Sequence, residues 1–330
     1  MLIGLEIVGG LIYLLLAGDL LVRGSVALAR LTRIPPAVVG LTIVAFGTSA
    51  PELFVSVGAA LQGHAEMSVG NVVGSNIANS LMVLGLPALF LPTGPTSEPA
   101  RLDTLWMLCA SALFAGLCYA SPLSTWQGVV LLALLAGMLL QSLRREQGEQ
   151  DPVTREEELD RALGLPTQRR MITLFLVLGL AGLPLGAYLM VDGAVQLAEA
   201  LGVTEGVIGL SVVAFGTSLP ELATTVAAAL RRHADVAIGN VLGSNLFNLL
   251  AIMGVVAVVS PEPIAVPAAF LRFDLLVMLA SAGLLAVLAL RGGAVSRSVG
   301  AFSVAAYVVY LVALFASAPH RTAVATALVS

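Results

Sequence analysis

The chain has 330 residues, of which 58% are hydrophobic and only 11% charged, and its formal net charge is −4. Globular domains carry roughly 25% charged residues, so this chain has too little polar surface for a soluble protein of its size. The composition excludes a soluble enzyme, a nucleic-acid binder and a disordered scaffold. It predicts an integral membrane protein with little mass outside the lipid.

Ten apolar runs are long enough to cross a membrane as helices, for which about 20 residues are needed. The alternation typical of strands is absent, so helices must satisfy the backbone groups within lipid. The predicted fold class is therefore an all-α membrane protein. The predicted spans are 3–21, 36–61, 68–91, 103–121, 125–143, 171–191, 206–230, 236–259, 273–290 and 299–318.

A polar stretch divides these spans into five and five. Residues 144–170 carry thirteen charged side chains, and we interpret them as a solvated linker with some helix. The predicted units are a five-helix repeat at 1–143, this linker, and a second five-helix repeat at 171–330.

The two halves contain a duplicated segment. Residues 40–86 align with residues 209–255 without a gap and are identical at 26 of 47 positions. Because five spans separate the copies, they should insert in opposite orientations. Arginines precede the first copy and acidic residues the second, and basic loops stay cytoplasmic. We therefore expect an inverted repeat with a site near the midplane, an architecture of secondary transporters.

The same charge rule orients the chain. With both termini outside and the 144–170 loop in the cytoplasm, 14 of the 16 arginines fall on the cytoplasmic side. The opposite orientation would reverse that ratio.

Two acidic residues, Glu52 and Glu221, fall in the middle of spans at equivalent places in the repeat. The others fall in loops or at helix ends, among them Glu6, Asp103 and Asp274. A carboxylate at the bilayer centre costs several kcal/mol or more unless it is paired. No arginine, lysine or histidine falls inside a predicted span, so a bound cation or a proton must compensate.

Oxygen-rich sequence surrounds each glutamate. Pro51 and Pro220 lack an N–H, so each Gly-Thr-Ser-x-Pro segment should break or kink its helix and free carbonyl groups near Ala45 and Ala214. Such backbone is tolerated at membrane depth only when it is buried or lines a wet cavity. Hydroxyl groups beside the glutamates belong to Thr48, Ser49, Thr217 and Ser218.

The following spans add polar side chains at intervals of four residues, which places them on one helix face. Oxygen donors without thiolate or imidazole suit Na⁺, Ca²⁺ or Mg²⁺, and two glutamates would balance one Ca²⁺. Mere helix packing or a simple proline kink could explain each part alone, but duplication of the whole set argues against both. These faces carry Asn71, Ser75 and Asn79 in the first copy and Asn240, Ser244 and Asn248 in the second.

At these residues the chain resembles the cation/Ca²⁺ antiporter superfamily, and it is similar to prokaryotic sodium/calcium exchangers over essentially its whole length. The Gly-Thr-Ser-x-Pro-Glu segments at 47–52 and 216–221 match the family's ion-binding segments in spans 2 and 7. The Gly-Ser-Asn-x-x-Asn segments at 74–79 and 243–248 match those in spans 3 and 8.

The resemblance implies that spans 2, 3, 7 and 8 surround the ions, while spans 1 and 6 slide across them to expose the site to each side alternately. It implies Na⁺ and Ca²⁺ as substrates, no cofactor, no nucleic acid and no obligate protein partner. The expected location is a prokaryotic inner membrane. Exchange of several Na⁺ for each Ca²⁺ would move net charge and respond to voltage.

The resemblance also implies residue roles. Glu52 and Glu221 would bind Ca²⁺ with main-chain oxygens of Thr48 and Thr217. Some relatives carry Asp at the position of Asn248, where Asp tends to accompany K⁺ co-transport, so Asn248 argues against K⁺ dependence. Asn79 and Asn248 would line the central site, and Na⁺ would use both glutamates with Ser49, Ser75, Ser218, Ser244, Thr48, Thr217, Ala45 and Ala214.

Two alternatives to Na⁺/Ca²⁺ antiport remain open. The glutamates could carry protons instead of Na⁺ in an H⁺/Ca²⁺ antiporter, although a proton carrier does not need the neighbouring Thr-Ser pairs. A remote alternative is an intramembrane enzyme such as a protease. It would need a base or metal beside Ser49 or Ser218, and no histidine falls within the predicted spans.

Overall fold

The computed structural model describes residues 2–32, 39–63, 65–92, 98–120, 122–145, 165–200, 214–231, 233–266, 268, 270–290 and 295–327. Nearly all of these residues are helical. Within them, eight helices are long and apolar enough to cross a membrane, and two shorter helices that meet at a bend of 51° form a ninth candidate.

We number the helices of the described residues in chain order. The first half contains α1 (Leu2–Thr32), α2 (Gly40–Thr48), α3 (Ala50–Leu61), α4 (Ala65–Phe90), α5 (Glu98–Ala120) and α6 (Thr125–Arg145). The second half contains α7 (Arg169–Ala200), α8 (Ala214–Thr217), α9 (Leu219–Leu230), α10 (Ala234–Leu246, continued by Phe247–Ile252 and Met253–Val259), α11 (Phe270–Leu290) and α12 (Arg297–Ala327).

The helices follow the predicted spans, with differences at their ends. Helices α1 and α7 run well beyond spans 3–21 and 171–191, because helix formation continues past the charged residues at which an apolar run stops. The predicted linker 144–170 begins and ends within helices, and its residues 146–164 lie outside the described ranges. The first parts of two predicted spans, 36–38 and 206–213, also lie outside them.

The duplicated segments form the centre of the bundle. Helix α2 packs on α10, α3 packs on α4 and α10, and α9 packs on α10 and α4. The main buried apolar cluster lies here and includes Val72 and Ile77 of α4 with Val241 and Leu246 of α10. Helices α1 and α7 pack against each other on one side of this centre, whereas α5, α6, α11 and α12 pack around the rest of it.

Two close helix crossings occupy equivalent places in the two halves. A Cβ atom at Gly300 of α12 would lie 2.7 Å from the carbonyl oxygen of Gly85 in α4. A Cβ atom at Gly128 of α6 would lie 2.6 Å from the carbonyl oxygen of Gly254 in α10. Gly85 and Gly254 correspond in the repeat, so both halves use the same device to bring an outer helix onto the centre.

Helices α4 and α10 also share a widened turn. Each contains a π-helical segment, at Asn79–Val83 and at Phe247–Ile252. Such turns are frequent at functional sites because they redirect side chains within a helix. In both helices the segment carries the asparagine that ends the Gly-Ser-Asn-x-x-Asn motif.

Two of the acids expected at helix ends or in loops are buried near the starts of their helices. Asp103 and Asp274 are only 7% and 1% exposed, since α5 begins at Glu98 and α11 begins with the π-helical turn Phe270–Asp274. Each therefore lies about one turn inside its helix. The hydroxyl of Tyr310 donates a hydrogen bond to Asp274 Oδ1 at 3.0 Å.

Candidate cation-binding site

Both predicted helix breaks are present. Ser49 and Ser218 lie between helices with ψ angles of 5° and 2°, outside the helical range. Helices α3 and α9 then start with a proline in the first turn, where the missing N–H costs nothing. Glu52 and Glu221 occupy the same first turns, where the partial positive charge of a helix N-terminus stabilises a carboxylate.

The structure brings the two glutamates together in the protein interior. Glu52 is 1% exposed and Glu221 is 0% exposed, and the carboxylates are close enough to repel each other. One comes from each half of the chain. Neither forms an ion pair with a described residue.

Hydroxyl groups of both halves point at the glutamates. Ser49 Oγ donates a hydrogen bond to Glu221 Oε1 at 2.9 Å, and Ser244 Oγ lies 3.4 Å from the same oxygen. The Thr48 hydroxyl lies beside this pair, 3.4 Å from Ser244 Oγ, and the Thr217 hydroxyl interacts with Glu52. Each broken helix therefore supplies hydroxyls to the glutamate of the other.

Several buried polar atoms here have no hydrogen-bond partner among the described residues. A buried polar group without a partner costs free energy, and their concentration at one place indicates room for a ligand that supplies the missing interactions. These atoms are Glu52 Oε2, Glu221 Oε2, Asn79 Oδ1, Ser218 Oγ and both polar side-chain atoms of Asn248.

The remaining predicted ligands differ in their burial and in the hydrogen bonds that their oxygens already accept. Ser75 is buried on α4, in the same Gly-Ser-Asn-x-x-Asn motif as Asn79. The Ala45 carbonyl is not freed by the break, since it accepts hydrogen bonds from the backbone N–H of Ser49 at 3.0 Å and from the Thr48 hydroxyl at 3.3 Å. In the second copy the N–H of Ser218 bonds to the Phe215 oxygen at 3.2 Å, rather than to the oxygen of Ala214.

Two asparagines of the polar faces donate hydrogen bonds to the main-chain carbonyls of the glutamates. Asn71 Nδ2 donates to the Glu52 carbonyl at 3.4 Å and to Ser56 Oγ at 2.9 Å. Asn240 Nδ2 makes the equivalent bonds, to the Glu221 carbonyl at 3.3 Å and to Thr225 Oγ1 at 3.1 Å. The four-residue spacing placed these asparagines on the correct faces, but a sequence cannot identify the atoms that they contact.

The chemistry of this cluster is that of a hard-cation site. Among the described residues there is no group of three or more His, Cys, Asp or Glu side chains placed to hold a metal. The donors are instead two carboxylates with neutral hydroxyl and amide oxygens. Such a set suits Na⁺ or Ca²⁺ and lacks the soft ligands that transition metals prefer.

Comparison with known proteins identifies the family. The family model described as sodium/calcium exchanger protein matches residues 3–144 and 171–316. The chain belongs to the sodium/calcium exchanger family. It is similar to the putative antiporter CaxA of Alkalimonas amylolytica, with 36% identity over 313 residues that cover 93% of this chain and 97% of the relative.

Two further relatives agree with that membership. The sodium/calcium exchanger MaX1 of Methanosarcina acetivorans is 31% identical over 341 residues, which cover 93% of this chain and 96% of MaX1. The solved structure of the sodium-calcium exchanger NCX_Mj superposes with a TM-score of 0.80 at 30% identity, covering 95% of this chain and 99% of that one. The chain therefore has the fold of NCX_Mj.

Membership of this family decides between a transporter and an enzyme. The family consists of transporters rather than enzymes, so the intramembrane enzyme is no longer a candidate. The resemblance to prokaryotic sodium/calcium exchangers is confirmed, and so is the prediction of an integral, multi-pass membrane protein.

Proposed function

We propose that this protein is a secondary active antiporter that exchanges Na⁺ for Ca²⁺ across the membrane. The observation that carries the proposal is the buried pair Glu52 and Glu221. Each has one oxygen without a hydrogen-bond partner, and neither has a basic partner, among the described residues. Two carboxylates balance the charge of one Ca²⁺, and several Na⁺ can take its place. The ions named in the family and in its relatives support the same pair of substrates.

The ion ligands follow from the resemblance and the contacts. Ca²⁺ binds between the two glutamates with main-chain oxygens of Thr48 and Thr217. Asn79 and Asn248 line the central position, and their unpartnered atoms support this assignment. The Na⁺ sites use the glutamates with Ser49, Ser75, Ser218, Ser244, Thr48, Thr217, Ala45 and Ala214, although the hydrogen bonds that the Ala45 carbonyl accepts make it a weaker ligand than the others.

The architecture we propose has ten spans in two inverted repeats, 1–143 and 171–330, with the linker 144–170 in the cytoplasm and both termini outside. Two contacts between the ends of different spans support the proposed direction in which each span crosses the membrane. Leu123 and Ile264, which follow spans 4 and 8 and should both lie outside, form an antiparallel bridge. Trp106 and Gln141, both near predicted cytoplasmic ends, are hydrogen-bonded at 3.0 Å.

The Na⁺ form of the antiport is favoured over the H⁺ form by the hydroxyls around Glu221. Ser49 and Ser244 both reach this one carboxylate, and the Thr48 hydroxyl lies 3.4 Å from Ser244 Oγ. Hydroxyl oxygens can complete the shell of a metal ion, whereas a proton needs a single acceptor. Electrogenic transport and independence of K⁺ are part of the proposal, the latter because Asn248 is uncharged.

Flux in proteoliposomes tests the proposal. Purified protein is reconstituted, and ⁴⁵Ca²⁺ uptake is measured with Na⁺, K⁺ and H⁺ gradients imposed one at a time. We expect uptake only with an outward Na⁺ gradient. Equal uptake with a pH gradient in the absence of Na⁺ would replace the proposal with H⁺/Ca²⁺ antiport.

A further inference from the structure

Asn240 links three segments of the protein through one buried amide. Its side chain is 0% exposed. Its Nδ2 donates to the Glu221 carbonyl and to Thr225 Oγ1 on α9, while its Oδ1 accepts from Thr48 Oγ1, 3.2 Å away at the end of α2. The second half of the chain thus holds a hydroxyl of the first half.

The amide can adopt only one orientation. The Glu221 carbonyl is an acceptor and cannot donate, so the Nδ2 end of Asn240 must face it. The Oδ1 end then faces Thr48 and accepts the proton of its hydroxyl. That hydroxyl has a single proton, and the Ala45 carbonyl, 3.3 Å away, is a competing acceptor.

The choice between these acceptors matters for cation binding. A proton donated to Asn240 leaves the lone pairs of Thr48 Oγ1 on the side of Ser244, whose Oγ lies 3.4 Å away, and does not occupy the Ala45 carbonyl. A proton donated to the Ala45 carbonyl would occupy an oxygen that is itself a proposed Na⁺ ligand.

We propose that Asn240 is a positioning residue, which turns the Thr48 hydroxyl so that its lone pairs face Na⁺. The inference rests on the proposed function and deepens it. Because Ca²⁺ is assigned the main-chain oxygen of Thr48, loss of Asn240 should weaken Na⁺ binding more than Ca²⁺ binding. Asn240 therefore sets the ratio of the two affinities.

The test measures two half-saturating concentrations in proteoliposomes, that of Na⁺ in Na⁺/Ca²⁺ exchange and that of Ca²⁺ in Ca²⁺/Ca²⁺ exchange. We expect Asn240→Ala to raise the Na⁺ value about five- to tenfold, the effect of one hydrogen bond, and the Ca²⁺ value less than about twofold. In Thr48→Val the hydroxyl is already gone, so adding Asn240→Ala to it should change little.

Matched variants keep the test decisive. Ser111 of α5 is also a buried polar residue, but its Oγ donates to the Met107 carbonyl at 2.8 Å, away from the site, so Ser111→Ala should leave the Na⁺ value unchanged. Thr225→Val loosens the amide of Asn240 without removing it, should raise the Na⁺ value by a smaller factor, and decides the matter if Asn240→Ala does not fold. Equal shifts for Na⁺ and Ca²⁺, or additive effects of Asn240→Ala and Thr48→Val, would overturn the role of Asn240. Absence of Na⁺-driven flux in the wild type would instead overturn the function.

A second inference starts from unequal exposure of equivalent residues. Ala223 and Thr224 of α9 are 5% and 0% exposed, whereas their counterparts Phe54 and Val55 in α3 are 76% and 38% exposed. Helix α1 covers α9, and at Gly18 it approaches so closely that a Cβ atom would lie 3.0 Å from the Ala223 oxygen. One copy of the duplicated helix is covered and the other is open.

An ion pair accompanies the covered copy. Arg231, directly after α9, pairs with Asp19 of α1, which also lies 3.6 Å from Arg23. The positions that correspond to Asp19 and Arg231 in the other half are Tyr188 and Gln62, and these cannot form an ion pair. The charge pair therefore stabilises the covering of α9 and has no equivalent for α3.

We infer that the pair of Asp19 and Arg231 is a latch, which holds α1 on α9 and must open when the site is exposed at that end.

The probe is a cysteine at Ala227, which is 4% exposed beneath α1, in a variant whose Cys109 and Cys118 are replaced by Ala. We measure its labelling rate with a membrane-impermeant maleimide in inside-out and right-side-out vesicles.

Both Asp19→Asn and Arg231→Gln should label several-fold faster than the parent, from one side of the membrane only. Arg23→Gln is the control, since Arg23 contacts Asp19 and the ring of Phe175 but leaves the pair with Arg231 intact; it should label at the parental rate. Unchanged labelling in both Asp19→Asn and Arg231→Gln would overturn the latch, whatever the flux measurements show.

Discussion

Buried carboxylates are stable in a protein interior only when a partner neutralises them or supplies hydrogen bonds. Glu52 and Glu221 receive hydroxyl hydrogen bonds and helix N-termini from both halves, yet each keeps one oxygen without a described partner. These interactions reduce the cost of burial and leave a place for a cation. The chemistry of the site thus depends on these two side chains.

Replacing either glutamate by glutamine should abolish Ca²⁺ transport. Glutamine has nearly the same shape but no charge, so Glu52→Gln and Glu221→Gln should leave folding largely intact and leave Ca²⁺ without charge balance. The measurement is Na⁺-driven ⁴⁵Ca²⁺ flux, with gel filtration as the check on folding. Asp103→Asn is the control, because Asp103 is also a buried acid in a helix but lies outside the site. Wild-type flux in either glutamine variant would remove the proposed site.

Asn248 leads to a prediction about K⁺. Its amide is fully buried and neutral, so it supplies no third carboxylate to balance a further cation, and the described residues place no other Asp or Glu at the site. We expect Na⁺-driven Ca²⁺ flux to be the same with and without K⁺ on either side of the vesicle. A strict requirement for K⁺ would show that another group supplies the charge.

At the scale of helices, the crossings at glycine hold the outer helices on the centre. Gly128→Ala should destabilise the protein by about 1–3 kcal/mol, because the new methyl group would meet the Gly254 carbonyl and push α6 from α10. Gly137→Ala on the same helix is the control, since no atom lies within 4 Å of its Cβ position, and it should be neutral or slightly stabilising. Thermal unfolding in detergent compares the two, and equal melting temperatures would contradict the importance of the crossing.

Sequence predicted some helical features and missed others, for physical reasons. Pro51 and Pro220 reveal the breaks because a missing N–H acts locally. The burial of Asp103 and Asp274, the π-helical turns and the engaged Ala45 carbonyl depend on which helices meet, which periodicity does not specify. The contacts of Asn240 belong to the same class, since its partners lie 192 and 19 residues away in the chain.

At the scale of the molecule, hydropathy was sufficient to predict an all-α membrane protein, and the resemblance of the duplicated motifs was sufficient to predict the family. The gap-free duplication suggests two equivalent halves, but the structure covers α9 and leaves α3 open. A transporter must adopt at least two states, and one sequence encodes both. Sequence therefore cannot tell which state a structure will present.

Net charge movement gives a prediction for the whole transport cycle. If more than two Na⁺ leave the vesicle for each Ca²⁺ that enters, net positive charge moves outward. An inside-positive potential should then speed Ca²⁺ uptake, since one charge across 100 mV is worth about 2.3 kcal/mol. Uptake with a K⁺ gradient and valinomycin measures this, and a rate independent of the imposed potential would indicate electroneutral exchange.

Equilibrium binding of ⁴⁵Ca²⁺ to the purified protein tests most directly whether the two glutamates hold the transported ion. We predict saturable binding at one site, displacement of the bound Ca²⁺ by Na⁺, and loss of binding in the folded variant that combines Glu52→Gln and Glu221→Gln. Saturable, Na⁺-sensitive Ca²⁺ binding that persists in this double variant would contradict the assignment of the site.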